Sequence, residues 1–181
     1  MIIKMPRPFS GRLLRILALI LGSLVLAGWL SGIRLMAYPG RSMEPAVKAG
    51  DHFIALTGLW SLRSIKRFDM AVYDVPPNNK WADRKIPWMK RVVGMPGEHI
   101  RISGTELFVD GRKIDAPFYG TPTGDQKLPA FEVKLGPDQF FMLGDNLNHS
   151  FDDSRSMGPI HQSLVRGFVA YVIRTSPEKK E

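Results

Sequence analysis

Ser42 and Lys90 are the two residues of this chain whose types and surroundings suit nucleophilic catalysis. Ser42 lies in the segment GRSMEP, and Lys90 lies after the apolar run IPWM and shortly before VV. An inward-facing lysine in such a neighbourhood loses solvent, which lowers its pKa and leaves the amine neutral enough to accept a proton. Serine is a weak nucleophile at its own pKa, so a Ser-Lys pair within hydrogen-bond reach predicts acyl transfer.

Each of these segments also fits a purely structural role. Ser42 fits the N-cap of a helix entered from a turn, Lys90 fits a solvated lysine at a strand end, and the MPGE segment at 95–98 fits an ordinary turn. Oxygen-bearing side chains cluster at 145–146 and 152–153, as in calcium sites, but their spacing does not follow an EF-hand loop. We therefore expect no metal ion there.

Histidine is the more usual base for a catalytic serine, and the chain has four, at positions 52, 99, 149 and 161. His149 is next to Ser150, but adjacent residues of an extended segment point to opposite faces. No pair of these histidines has the close spacing of the familiar zinc motifs. A Ser-His-Asp triad stays open on composition, and the lysine is the more attractive base.

Four short segments follow one another in a fixed order: GRSMEP at 40–45, GD at 50–51, KRVVGMPGE at 90–98 and GDNLNHSFDDSR at 144–155. Together they resemble the bacterial type I signal peptidase family. The resemblance implies that Ser42, in an S-M-x-P box, attacks the scissile carbonyl and that Lys90, in a K-R-x-x-G-x-P-G-[ED] box, is its general base. It also implies supporting roles for residues of the later boxes, namely Arg91, Asp145, Ser150, Asp153 and Arg155.

The chain departs from the family pattern at two places. The last box of the family resembles G-D-N-x-x-x-S-x-D-S-R, and this chain has one extra residue before its DSR end. Aligned from the left, Ser150 would orient the lysine amine; aligned from the right, Asp153 and Arg155 would form the supporting ion pair, and a small bulge would satisfy both. Some members place an oxyanion-binding serine where this chain has Gly40, so we expect the Ser42 backbone N–H to serve as a donor instead.

The resemblance further implies shallow pockets for small side chains at the −1 and −3 positions of the substrate. The candidate lining residues flank the two catalytic positions and are Tyr38, Met43, Trp88 and Met89. Plain core packing is the alternative role for these side chains, since methionine and aromatic residues routinely fill cores.

Residues 16–33 read ILALILGSLVLAGWLSGI without a charge, close to the ~20 apolar residues that span a hydrocarbon core as a helix. The basic residues Lys4, Arg7, Arg12 and Arg15 precede this stretch and place the N-terminus in the cytoplasm. A cleaved signal peptide is the alternative, but the stretch exceeds a typical h-region of ~7–15 residues. We predict a basic cytoplasmic segment at 1–15, a transmembrane anchor at 16–36 and an extracytoplasmic catalytic domain at 37–181.

Beyond the anchor, short runs rich in β-branched and aromatic residues are bounded by Gly, Pro, Asn and Asp, which is typical of strands and turns. We predict a mainly β body, an antiparallel sheet of the signal peptidase I type, with strands at 52–56, 69–75, 89–94, 99–102, 106–109, 139–143 and 165–173. Asp110-Gly111 predicts a two-residue hairpin, because that turn requires positive φ. The stretches 76–85 and 119–128 are predicted surface loops, and the final SPEKKE is a predicted solvated tail.

Composition limits the classes of function. The 181 residues, 44% of them apolar and 23% charged, fit one packed domain. The absence of cysteine excludes disulfides and thiolate metal sites. The net charge of +8 is spread along the chain, and no nucleic-acid-binding signature is present, so no nucleic-acid partner is expected.

These inferences predict a membrane-bound serine endopeptidase that removes signal peptides from exported preproteins after small-x-small sites. Its expected partners are preproteins and the lipid bilayer of the cytoplasmic (inner) membrane, with no metal or organic cofactor. A dedicated maturation peptidase for pilus or conjugation subunits fits the same residues. Two other classes are a non-catalytic anchored envelope domain, which would keep the motifs as turns, and a self-cleaving repressor, against which the anchor and the missing DNA-binding helices argue.

Overall fold

The computed structural model describes residues 11–58, 65–77, 79, 87–104, 106–116 and 130–175. The predicted loop at 119–128, most of the one at 76–85, the first ten residues and the SPEKKE tail lie outside these ranges. Within the described residues, one long N-terminal helix precedes a body of antiparallel strands.

Helix α1 spans Gly11–Ser31. Its apolar side chains are largely exposed, Leu19 by 72%, and the span Gly11–Gly28 has a mean hydropathy of 1.8. By length and composition the helix is able to cross a membrane. Its bounds differ from the predicted anchor at 16–36, because Gly32 adopts a φ of +95° and ends the helix. The backbone N–H of Thr57 then bonds the Gly32 carbonyl at 2.8 Å, which starts a strand where the anchor was predicted to continue.

The body contains eleven strands among the described residues. In chain order they are β1 Ile33–Ala37, β2 His52–Thr57, β3 Met70–Tyr73, β4 Trp88–Gly94, β5 His99–Ser103, β6 Glu106–Val109, β7 Arg112–Ile114, β8 Phe131–Lys134, β9 Gln139–Leu143, β10 Ile160–His161 and β11 Val165–Ile173. The remaining elements are the short helix α2 Ser154–Met157 and two 3₁₀ turns, Leu147–His149 and Gln162–Leu164.

The strands form two antiparallel sheets. The large sheet has the order β1-β2-β11-β3-β4-β9-β10, and the small sheet has the order β7-β6-β5-β8. The predicted mainly β, antiparallel fold is confirmed. The Asp110-Gly111 hairpin between β6 and β7 is also confirmed, since both residues have positive φ, 48° and 78°.

All seven predicted strands are present, with small differences at their ends. The predicted hairpin also implied β7, whereas β1, β8 and β10 were not predicted from the sequence. Strand β1 was hidden inside the apolar stretch assigned to the anchor, and β10 has only two residues. Strand β8 is four residues long and pairs with β5. Short strands such as these depend on their partner more than on their own composition.

Three apolar clusters hold the body together. One lies between the small sheet and β9, with Ile100, Leu107, Phe141 and Leu143 fully or almost fully buried. Alternation along β3 divides the other two: Val72 joins a cluster with Met43, Phe53 and Met89, whereas Ala71 and Tyr73 join one with Val92, Met142 and Ile160. The middle of β4 therefore lies among packed apolar side chains, and this is where Lys90 is located.

Candidate active site

The turn at residues 41–47, between β1 and β2, carries Ser42. A hydrogen bond from the Val47 N–H to the Met43 carbonyl at 2.9 Å closes the turn, and the Met43 side chain, which is fully buried, anchors it in the core. The turn does not continue into a helix, so Ser42 is not the N-cap that the alternative interpretation required. Its hydroxyl is directed towards β4 instead.

Lys90 Nζ donates a hydrogen bond to Ser42 Oγ at 2.6 Å. Lys90 is only 5% exposed, and its cross-strand neighbour on β3 is the small residue Ala71. Burial lowers the pKa of the Lys90 amine to about 8, although Asp153 and Asp152 act in the opposite direction. A substantial fraction of the amine is therefore neutral at mildly alkaline pH, as a general base must be.

A third side chain reaches the serine, because the Tyr38 hydroxyl lies 2.9 Å from Ser42 Oγ. Two backbone hydrogen bonds hold Tyr38 in place: its N–H donates to the Asp51 carbonyl and its carbonyl accepts from the Gly50 N–H, each at 2.8 Å. The Asp51 carboxylate is itself fixed by the N–H groups of Lys48 and Thr175, which hold the pKa of Asp51 below its usual range. The Gly50-Asp51 segment is thus a brace for Tyr38.

The Gly144-Asp145-Asn146 segment connects the serine turn to β4. The Asn146 N–H donates to the Ser42 carbonyl at 3.0 Å. Asp145 accepts two bonds from Arg91, one from Nε at 2.8 Å and one from the terminal nitrogen at 2.5 Å. Burial raises the pKa of Asp145 even so, and the Arg91 guanidinium counteracts that rise. The predicted supporting residues Arg91 and Asp145 are therefore partners of one another.

The GDNLNHSFDDSR segment forms the ion pair that the alignment from the right predicted. Arg155 donates to both carboxylate oxygens of Asp153 at 2.8 Å, and the Ser150 hydroxyl donates to Asp153 at 2.7 Å. The extra residue is accommodated in the loop, where Phe151 is 75% exposed. The alignment from the left predicted that Ser150 orients the Lys90 amine. The described hydrogen bonds join the Ser150 hydroxyl to Asp153 and include none from Ser150 to Lys90.

Gly144 explains why this segment packs so closely on the serine turn. A Cβ atom at this position would lie 2.3 Å from Ser150 Oγ and 2.6 Å from the Ser42 carbonyl oxygen. Both distances are far below van der Waals contact, so only glycine fits between the two serines.

A cleft of about 290 Å³ opens beside Ser42 and Lys90. Three of the four predicted substrate-binding residues line it, namely Tyr38, Trp88 and Met89. The prediction for Met43 is wrong: this side chain is fully buried in the core cluster with Phe53, because the turn directs it away from its neighbour Ser42. Core packing, the alternative role considered for all four, applies to Met43.

Residues that the sequence analysis did not select complete the cleft. Phe53 and Phe151 provide apolar surface, and Arg41, His149 and Asp152 contribute polar groups. Only the alternation of strand β2 could have indicated Phe53, and the extra residue of the last box could have indicated Phe151. None of the four histidines makes a described hydrogen bond to Ser42.

The MPGE segment at 95–98 is structural, as its alternative interpretation proposed. Glu98 accepts a bond from the Met95 N–H at 2.7 Å and pairs with Arg67, and Gly97 has a φ of +80°. The predicted Asp145-Asn146 and Asp152-Asp153 cluster also has an internal use, since Arg91 and Arg155 occupy two of its carboxylates. Within the described residues, no group of three or more acidic or histidine side chains is placed to hold a metal ion.

This chain is similar to known proteins in both sequence and fold. The family described as "Signal peptidase, peptidase S26" matches residues 11–173. The chain is 32% identical over 138 residues to the probable signal peptidase I-2 of Synechocystis sp., covering 74% of this chain and 60% of that protein. It is 31% identical to signal peptidase I of Bacillus caldolyticus, covering 73% of this chain and 74% of that protein.

A third relative is signal peptidase I V of Bacillus subtilis. It is 30% identical to this chain, and the alignment covers 72% of this chain and 80% of that protein. A crystal structure of a signal peptidase I from Enterococcus faecalis matches 60% of this chain and 98% of its own, with a TM-score of 0.50 and 24% sequence identity. This likeness confirms the fold. Because the family match extends from the N-terminal helix to the end of β11, the chain belongs to the signal peptidase, peptidase S26, family of serine endopeptidases.

Proposed function

We propose that the chain removes signal peptides from exported preproteins, with Ser42 as the nucleophile and Lys90 as the general base. The observation that carries the proposal is the 2.6 Å contact between Lys90 Nζ and Ser42 Oγ, made by a lysine whose pKa burial lowers to about 8. A charged, hydrated lysine at this position would be unable to accept the serine proton.

In the acylation step, Ser42 Oγ attacks the scissile carbonyl carbon and its proton passes to neutral Lys90. The electron pair of the C=O bond moves onto the carbonyl oxygen and forms a tetrahedral intermediate. When this intermediate collapses, the C–N bond breaks and the leaving amine takes the proton from the Lys90 ammonium. The new N-terminus is released, and the signal peptide remains attached to Ser42 as an ester.

In the deacylation step, a water molecule attacks the ester carbonyl and Lys90 accepts its proton. Ser42 Oγ then leaves, recovers a proton from Lys90 and restores the starting state. Each cycle consumes one water, and the same amine acts alternately as base and acid.

We further propose that the cleft selects small side chains on the acyl side of the scissile bond. Trp88, Met89 and Phe53 fill the space next to the dyad and leave a shallow apolar recess. A large substrate side chain would have to displace buried residues, which costs packing energy. Alanine and similarly small residues enter without such a displacement.

Helix α1 supports a membrane-anchored arrangement. Its apolar span is long enough to cross a bilayer, and the basic residues at its N-terminal side favour a cytoplasmic N-terminus, which would place the catalytic body outside. In sealed spheroplasts, a protease added outside should digest the body and leave an epitope at the N-terminus intact. The reverse pattern would refute this orientation.

The test of the activity is cleavage of a preprotein with an Ala-x-Ala site by the full chain in detergent. We compare the wild type with Ser42→Ala and Lys90→Ala, and use Ser103→Ala and Lys134→Ala, exposed residues of the small sheet, as matched controls. Cleavage by the wild type and both controls, together with its loss in both dyad variants, is the expected result. Cleavage by either dyad variant at the wild-type rate would refute the proposed dyad.

A further inference from the structure

The Tyr38 hydroxyl lies beside the nucleophile, where a hydrogen-bond donor would serve the reaction. It is 2.9 Å from Ser42 Oγ, on a residue that is only 7% exposed. Burial raises the pKa of this hydroxyl, and the hydrogen bonds with Ser42 and from the Met43 backbone counteract the rise only in part. The phenol therefore keeps its proton and is able to donate it in a hydrogen bond throughout the working pH range.

Gly40 and Tyr38 share a single space beside the nucleophile. A Cβ atom at position 40 would lie 3.1 Å from the Tyr38 hydroxyl oxygen and 3.2 Å from the ring carbon that carries it. These contacts are tighter than ordinary van der Waals separations, so a side chain at position 40 would displace the phenol. The absence of a side chain at position 40 is what allows the Tyr38 hydroxyl to occupy this position.

We propose that Tyr38 is a catalytic residue whose hydroxyl donates a hydrogen bond to the oxyanion formed when Ser42 attacks its substrate. The proposal rests on the proposed function, in which Ser42 is the nucleophile. The oxyanion is bonded to the same carbon as Ser42 Oγ, so it forms two bonds away from the oxygen that the phenol already contacts. The Ser42 backbone N–H is the expected second donor.

The hydrogen bond follows the reaction without transferring a proton. Before attack, the phenol donates to Ser42 Oγ. As Oγ bonds to carbon and loses its proton to Lys90, negative charge appears on the former carbonyl oxygen, and the phenol turns to that oxygen. The bond is strongest in the charged intermediate, which is the condition for accelerating the step.

Tyr38→Phe tests the proposal because it removes the hydroxyl and keeps the ring in its core cluster. We expect kcat to fall by about 10²-fold or more, as for other single oxyanion donors, with KM nearly unchanged. The acid limb of the pH profile should stay in place, since Lys90 is still the base. Tyr171→Phe, on the exposed part of β11, is the matched control and should retain full activity.

A peptide aldehyde that ends in alanine separates this role from simple positioning of the serine. The aldehyde forms a hemiacetal with Ser42 that carries the same oxygen as the tetrahedral intermediate. An oxyanion donor predicts that Tyr38→Phe weakens aldehyde binding by about 10²-fold. If the phenol only holds Ser42 before attack, its bond is lost on adduct formation anyway, so binding would be unchanged or tighter.

The aldehyde experiment has three outcomes, and each one supports or overturns a specific claim. Weakened binding by folded Tyr38→Phe supports the proposal, and wild-type binding by that variant overturns it and leaves the Ser-Lys function intact. If the wild type forms no adduct at Ser42, the proposed function fails together with the inference.

Gly40→Ala provides a second perturbation that leaves the phenol present and displaces it by a few tenths of an ångström. We expect a several-fold loss of kcat in the wild type and a smaller one in the Tyr38→Phe background, where the hydroxyl is already absent. Equal losses in the two backgrounds would contradict the shared space and the role of the hydroxyl.

Discussion

Replacing Lys90 with methionine should make the protein more stable at neutral pH while abolishing catalysis. Methionine has the unbranched shape of the lysine stem and no charge to desolvate. The Ser42 hydroxyl keeps its contact with Tyr38, so the replacement leaves no isolated polar group beside the dyad. The difference in the free energy of unfolding between the two proteins therefore measures the destabilisation caused by burying the amine at this position.

The magnitude follows from the pKa of Lys90, which burial lowers from 10.5 to about 8. Below pH 8 the amine is protonated in both the folded and the unfolded chain, and the shift corresponds to about 3 kcal/mol of destabilisation. The lost hydrogen bond to Ser42 offsets about 1 kcal/mol of the gain. We expect Lys90→Met to unfold with a free energy about 2 kcal/mol higher than that of the wild type at pH 7.

The pH dependence of the wild-type free energy of unfolding also has a predicted sign. Between pH 8 and 10.5 the unfolded chain binds the lysine proton and the folded chain does not, so the wild type gains stability as the pH rises through this window. Lys90→Met lacks this gain, and its advantage should shrink towards zero by pH 10. Groups that do not interact with Lys90 titrate equally in both proteins and cancel in the difference.

Urea unfolding of the full chain in non-ionic detergent, followed by tryptophan fluorescence, measures both free energies. Lys134→Met, at an exposed position of β8, is the control and should change stability little at either pH. If Lys90→Met is less stable than the wild type at pH 7, or if the difference is the same at pH 7 and pH 10, the amine is not desolvated as the structure implies and the argument for a neutral base fails.

Three other predictions concern the same site. The rate of preprotein cleavage should rise with an apparent pKa near 8 as Lys90 loses its proton, and a rate independent of pH from 6 to 9 would contradict this base. Arg155→Gln should move that apparent pKa upwards, because Asp153 would then act on the amine without its compensating guanidinium; a downward shift would contradict the electrostatic argument. Gly144→Ala should lower both the cleavage rate and the melting temperature, since its methyl group would overlap Ser150. A wild-type melting temperature and cleavage rate would show that the segment accommodates the methyl group without cost.

The sequence predicted the antiparallel body and the proximity of Ser42 and Lys90 for identifiable reasons. Strands such as β6 and β9 are largely apolar runs bounded by turn residues, a local signal that needs no partner to be seen. Ser42 and Lys90 come together because the serine turn packs against β4, and their contact across 48 positions is implied by the boxes but not by either segment alone.

The parts that sequence did not predict depend on contacts between distant segments. The orientation of Met43 follows from the turn that buries it, and nothing in its type distinguishes a core position from a cleft position. The position of the Tyr38 hydroxyl beside Ser42 follows from the backbone hydrogen bonds to Gly50-Asp51 and from the space left by Gly40. The type of a side chain indicates which contacts and chemistry it is able to provide. Its position in the folded protein depends on packing between distant segments.

The two arginine–aspartate pairs lie close enough to the proposed base to affect its pKa, which burial chiefly lowers. Asp145 and Asp153 are buried near Lys90, and an unscreened carboxylate would favour its protonated form. Arg91 and Arg155 each bind one of these carboxylates through two hydrogen bonds, and the Arg155 guanidinium lowers the pKa of Lys90 against the effect of Asp153. The carboxylates are thus available to fix the backbone around Ser42 and Ser150, while the pKa of Lys90 stays at about 8. A site that needs buried acids for positioning and a buried amine for proton transfer requires these arginines to keep the two functions separate.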